Sequence, residues 1–189
     1  LDEAKMPALN FNEQDWERVE RDTMAWWAGE LDRPLVWLAA TDPLPQGKPH
    51  RFLSNYPLDM PVEELIDLYE PFLEATRYYA DAFPWWWINF GPGIVAGFLG
   101  SDVHSVTTPS ETVWFTPSTT VTIEALDLEY DPENLWWKRV QALTAAIVER
   151  YEGQLAVSHT DLGGNLDILA SFRESEGVLF DLIDHPEHV

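Results

Sequence analysis

The stretch from Leu155 to Arg173 constrains this chain more than any other. Leu155, Ala156, Val157 and Ser158 can be buried on both faces and read as a short parallel strand. A polar turn follows, His159-Thr160-Asp161-Leu162-Gly163-Gly164-Asn165, and a helix is expected to begin near Leu166. Strand, glycine-containing polar loop and helix is the order in which α/β proteins present reactive groups. Loops at the carboxyl ends of parallel strands converge on one mouth. An imidazole, a hydroxyl, a carboxylate and a carboxamide lie within this one turn. Helix capping by Asp161 or Asn165, with a plain reversal at Gly163-Gly164, accounts for the same residues without chemistry.

The remaining pattern alternates in the same way. Asn12 is a plausible cap for a helix carrying Trp16, Val19, Thr23, Trp26 and Trp27 and stopping at Gly29. Residues 35–40 read as the first strand, ending in the turn Thr41-Asp42-Pro43. A long loop holding His50 and Arg51 leads to a helix whose apolar stripe runs from Val62 to Tyr79 or Ala80, kinked or split at Pro71. A second strand, residues 83–90, contains three consecutive tryptophans that must alternate in direction, and it ends in Gly91-Pro92-Gly93. After a short helix, residues 103–106, 112–116 and 120–123 are β-rich with no helical pattern between them, as in an antiparallel excursion near the mouth. Asp131-Pro132-Glu133-Asn134 opens a long helix to Gly153, and a last helix spans about 175–184. The order implies one α/β domain over residues 1–189, with an irregular lead-in at 1–11, a helical segment at 12–28 and βα units from 34 to 184.

Composition removes several function classes. The 33 acidic and 11 basic residues give a formal charge of −22, so the Lys/Arg patch that nucleic acid or an anionic membrane demands is missing. No cysteine is present, which excludes disulfides, thiolate metal sites and a cysteine nucleophile within the chain. No apolar run reaches membrane-span length and no signal peptide opens the sequence, so a cytoplasmic protein is expected. A start at Leu1 suggests processing or trimming. Dinucleotide, phosphate-loop and zincin motifs are absent, so no cofactor or metal is evident. Ser158 and His159 are strand neighbours pointing to opposite faces and cannot serve each other as nucleophile and base.

The candidate site is assembled across strands. Thr41 and Asp42 follow the first, Asn89 the second, and His159, Thr160, Asp161 and Asn165 the later one. If those strands are parallel neighbours, these groups share one rim. His159 is then the acid or base, and Asp161 sets its tautomer or supplies the carboxylate. Thr160, Asn89 and Asn165 orient substrate, and His50 and Arg51 hold an anionic group. Strand-end capping is the competing role for Asp42 and Asn89. Trp114, with Trp85 and Trp87, offers faces for a sugar or flat ring, although a core role is the commoner one for tryptophan.

Several of these segments together resemble a known family. They are Trp26-Trp27-Ala28-Gly29-Glu30-Leu31-Asp32-Arg33-Pro34, Asn89-Phe90-Gly91-Pro92-Gly93, Thr112-Val113-Trp114-Phe115, residues 159–167 and Leu182-Ile183-Asp184-His185-Pro186. In order and spacing the chain is similar to the uroporphyrinogen decarboxylase-like superfamily, within an uncharacterised bacterial branch. The resemblance implies a TIM-type (β/α)8 barrel with its mouth at the carboxyl ends of the strands, and lyase or methyltransferase chemistry on a carboxylated or methylated small molecule. It also implies that this chain is the amino-terminal half of a longer barrel. A missing carboxyl-terminal half or a homo-oligomer would then cover the open side. Two departures point away from uroporphyrinogen itself: Thr41-Asp42-Pro43 stands where the family's Arg-rich signature belongs, and Asn89 where an acid is expected. The family's zinc-holding cysteines have no counterpart here. Two other readings remain open, a non-catalytic ring-binding module with a Trp-rich mouth and an inactive fragment that self-associates.

Overall fold

The computed structural model describes residues 8–189, so most of the lead-in at 1–11 lies outside the described residues. Helix α1 (Glu13–Trp27) starts as the sequence suggests: Asn12 accepts the Asp15 amide at 3.0 Å while Asp15 returns the bond to the Asn12 amide. Strand β1 (Trp37–Thr41) follows, and then α2 (Val62–Ala75) and β2 (Thr76–Ala80). Here the structure corrects the expected helix across 61–80. Pro71 lies inside α2, and β-branched and aromatic residues follow Ala75. The Thr76 hydroxyl bonds back to the Phe72 carbonyl at 2.6 Å, and the Thr76 amide to Leu73, which closes the last turn. Strand β2 then pairs antiparallel with β1, from Trp37 opposite Ala80 to Thr41 opposite Thr76. The first strand is therefore one arm of an antiparallel pair, not a parallel barrel strand.

Strand β3 (Trp85–Trp87) is shorter than the expected 83–90 and pairs with β6 (Ala156–Ser158). The Ala156 amide bonds the Pro84 carbonyl and the Ser158 hydroxyl lies 3.4 Å from the Trp86 carbonyl, so contacts advance along both segments in one direction. Trp86 is buried between exposed Trp85 and Trp87, the alternation a strand requires. A short helix, α3 (Ile94–Phe98), leads to β4 (Asp102–Val106) and β5 (Thr112–Thr116), an antiparallel pair in register from Asp102–Thr116 to Val106–Thr112. The third expected β-run is instead irregular and ends in a 3-10 turn at Ile123–Ala125. Helix α4 (Leu135–Tyr151) starts later than the Asp131 signal, because Asn134 is the residue that accepts the Trp136 and Trp137 amides. The final helix, α5 (Asn165–Asp184), is broken at Glu174. Arg173 spans the break, forking onto Asp181 at 2.7 and 2.9 Å and also donating to the Val121 carbonyl.

The fold is thus mixed α/β with three two-stranded sheets among the described residues and no closed barrel. Two compact units emerge. The first takes residues 8–49, Pro61–Trp86 and Thr144–Ser158. Its buried residues include Val19, Leu65, Ile66, Trp86, Ile147 and Tyr151. It also holds Asp81, which is 1% exposed and gripped by both terminal nitrogens of Arg33 and by the Val36 amide. The Arg33 guanidinium pulls the Asp81 carboxyl down to about 2. The second unit takes His50–Met60, Trp87–Leu143 and His159–Val189. Ile88, Phe90, Ile94, Val113, Leu143 and Phe172 are buried there. No helix among the described residues is long and apolar enough to cross a membrane.

Candidate functional site

The second unit carries most of the sequence-derived site. Its loop 159–164 meets the loop after β3 backbone to backbone. Gly163 has a φ of +64°, and a Cβ placed on it would stand 2.5 Å from the Pro92 carbonyl oxygen. Glycine is the residue that permits both the left-handed conformation and that approach. The Asp161 carboxylate prepares the turn by accepting the Gly163 amide at 2.9 Å. Asp161 therefore has a local backbone role, and the contact on the His159 ring comes from elsewhere. His159 Nδ1 lies 2.7 Å from the Thr160 carbonyl. A carbonyl can only accept, so in the neutral ring Nδ1 carries the proton and Nε2 the lone pair. The ring is exposed and therefore accessible to a reactant.

Thr160 is 5% exposed, and its buried Oγ1 has no hydrogen-bond partner among the described residues. Such a group costs about 1–3 kcal/mol until a polar atom reaches it. Asn89 is equally buried, with Oδ1 accepting the Gly91 amide at 3.1 Å and its carbonyl accepting the Leu53 amide at 2.8 Å. It ties the loop after β3 to the 50–56 segment. Asn165 is the exposed first residue of α5, and Gly164, not Asn165 or Asp161, holds the cap position.

The 50–56 segment contains an arrangement that sequence reasoning missed. His50 Nδ1 sits 3.0 Å from Glu111 Oε1, while Glu111 Oε2 accepts the Arg51 amide. The His50 amide donates to the Tyr56 hydroxyl at 2.8 Å, and the two rings meet edge to face. The result is a carboxylate–imidazole pair formed by residues 61 positions apart. Arg51 is exposed, with its guanidinium carbon 5.2 Å from the Phe52 ring centre.

Thr41 ends β1 in the β1–β2 sheet and Asp42 follows it, both in the first unit, whereas Asn89 and His159 follow β3 and β6, which pair in a separate sheet. Thr41 Oγ1 is 2.8 Å from Thr76 Oγ1, within the β1–β2 pairing, and the Asp42 amide bonds the Ala75 carbonyl. Strand β1 is therefore not a parallel neighbour of β3 and β6 in one sheet, the arrangement the sequence-derived rim assumed. Trp114 on β5 is 63% exposed. No group of three or more His, Asp or Glu side chains is placed to hold a metal among the described residues.

No protein-family model, no curated protein and no solved structure matches this chain.

Proposed function

We propose that this chain forms part of a uroporphyrinogen decarboxylase-like (β/α)8 barrel enzyme, a lyase or methyltransferase acting on a carboxylated or methylated small molecule. The observation that carries this reading is the meeting of the loops after β3 and β6 at Gly163 and Pro92. Neighbouring strands that send polar loops to a common end make the kind of mouth on which such barrels build their sites. His159 is the acid or base, its tautomer held by the Thr160 carbonyl. Thr160, Asn89 and Asn165 supply polar contacts, and Arg51 attracts the anionic group. In a decarboxylation the electron pair of the breaking C–C bond stays on the substrate carbon. A proton from the His159 imidazolium then replaces the departing carbon dioxide. The β3–β6 pair has only two strands. In this reading further chain, or a second copy, supplies the rest of the barrel.

The test is titration of the protein with a series of mono- to tetracarboxylates, read by calorimetry. Saturable binding that weakens about tenfold in Arg51→Ala and in His159→Ala supports the assignment. Carboxylate affinities that ignore both substitutions refute it.

A further inference from the structure

Strand β1 has one edge in use and one open. The Asp81 amide donates to the Val36 carbonyl at 2.9 Å, and the Asp42 amide to the Ala75 carbonyl at 3.3 Å. Between these two bonds the register runs through Leu38–Tyr79 and Ala40–Arg77, so Leu38 and Ala40 are the residues that exchange hydrogen bonds with β2. The amides and carbonyls of Trp37, Ala39 and Thr41 therefore point the other way, where no strand among the described residues pairs with them. The far edge of β2 is covered. There Asn10 bridges to Arg77 and bonds the Thr76 carbonyl through its side chain, and Arg18 donates to the Ala80 carbonyl. The open edge has none of the devices that keep strands apart, which are charge, proline and bulges. Residues 35–41 include no ionisable side chain and no proline, and the pairing with β2 is unbroken. Trp37 is 53% exposed and Leu38 58%, on opposite faces of the strand, and Ala39 and Ala40 are exposed as well. Such an edge is a template for another strand.

The strand's own sequence selects a second copy of this chain as the occupant. With a two-fold axis at Ala39 and the copies antiparallel, Ala39 faces Ala39 of the second copy, and Trp37 and Thr41 face each other. Every outward amide then meets an outward carbonyl. The side chains match in size too: Trp37 lies opposite Thr41, Leu38 opposite Ala40, and the two alanines sit at the axis. Moving the axis to Trp37 or Thr41 would leave outward groups unmatched. Charge favours the same place. Each copy carries −22, and an uncharged strand lets two copies meet without opposed carboxylates. We propose that β1 pairs antiparallel with β1 of a second copy across a two-fold at Ala39, joining both β1–β2 sheets into one. This pairing does not rest on the chemistry assigned to the loops after β3 and β6.

Sedimentation equilibrium of the full chain is the first test. One short strand makes a small contact, so a reversible monomer–dimer equilibrium is expected within about 1–200 μM. Added salt should tighten it by screening the repulsion between copies. Ala39→Pro removes an outward amide and leaves the bonds to β2 in place. It should weaken the dimer about ten- to a hundredfold, the loss of two symmetric hydrogen bonds. The chain has no cysteine, so single cysteines read the register without interference. Residues 39 of the two copies would stand about 5.5 Å apart, within disulfide reach. Residues 40 would stand about 8 Å apart, beyond it. Under oxidation Ala39→Cys should run as a cross-linked dimer and Ala40→Cys as a single chain. Both alanines are exposed, so the cysteine variants are expected to fold. A monomer throughout the concentration range, as when another segment or another protein covers β1, would overturn the inference. So would Ala39→Pro dimerising as tightly as wild type, or equal cross-linking at positions 39 and 40.

Discussion

Replacing Gly163 with alanine puts the contact between the loops after β3 and β6 to a quantitative test. Two costs combine. The backbone there has a φ of +64°, which an L-residue with a Cβ adopts at about 1–2 kcal/mol. The new Cβ also meets the Pro92 carbonyl oxygen at 2.5 Å, and that atom belongs to backbone, so no rotamer change relieves the overlap. Overpacking of this kind costs roughly 1–3 kcal/mol. The expected loss is therefore about 2–5 kcal/mol, a large share of the roughly 5–15 kcal/mol that a folded domain has. Gly47→Ala is the control. Gly47 has a φ of +74°, close to that of Gly163, and among the described residues nothing lies within 4 Å of its would-be Cβ. It carries the backbone cost without the clash. Urea unfolding of the two variants, compared through midpoint and slope, reads the difference directly. A Gly163→Ala protein no less stable than Gly47→Ala would mean that the two loops do not touch as described, and the shared mouth would go with it.

Other outcomes follow from the same structure. The Asp81 carboxyl is held down to about 2 by Arg33, so its stabilising share is complete above the unfolded value near 4 and is lost as pH falls toward 2. An acid titration should show this loss in wild type and a smaller one in Asp81→Asn, whose stability at neutral pH is already reduced. Glu111→Ala removes the acceptor of both His50 Nδ1 and the Arg51 amide, and faster hydrogen exchange confined to residues 50–56 is the expected signature. Asn134→Ala removes the side-chain acceptor for the first amides of α4 and should cost about 0.5–2 kcal/mol by thermal unfolding.

Local chemistry was readable from the sequence wherever a signal lay within a few residues. The Asn12 cap, the alternation of Trp85, Trp86 and Trp87, and the strand, turn and helix around residues 155–173 each depend on near neighbours. The β2 strand was hidden because Tyr79 and Ala80 continue the helical stripe of α2, and only pairing with β1 selects the extended form. That pairing takes β1 out of the sheet with β3 and β6 that the expected rim assumed. Glu111 gave no signal at all, being one acid in a polar run whose partner, His50, is 61 positions away. Asp161 showed the opposite problem: its type suggested chemistry, while its carboxylate makes the turn to Gly163.

The break in α5 has a consequence of its own. Glu174 sits at φ 59° and ψ 158°, a region that glycine alone enters without penalty. The helix therefore carries a loaded spring, with Arg173 as the catch that fastens it to Asp181 and Val121. A glycine at 174 would relax the spring and leave the catch intact. Severing the catch would release the spring, letting Glu174 leave its strained conformation as the two halves of α5 move toward one straight rod.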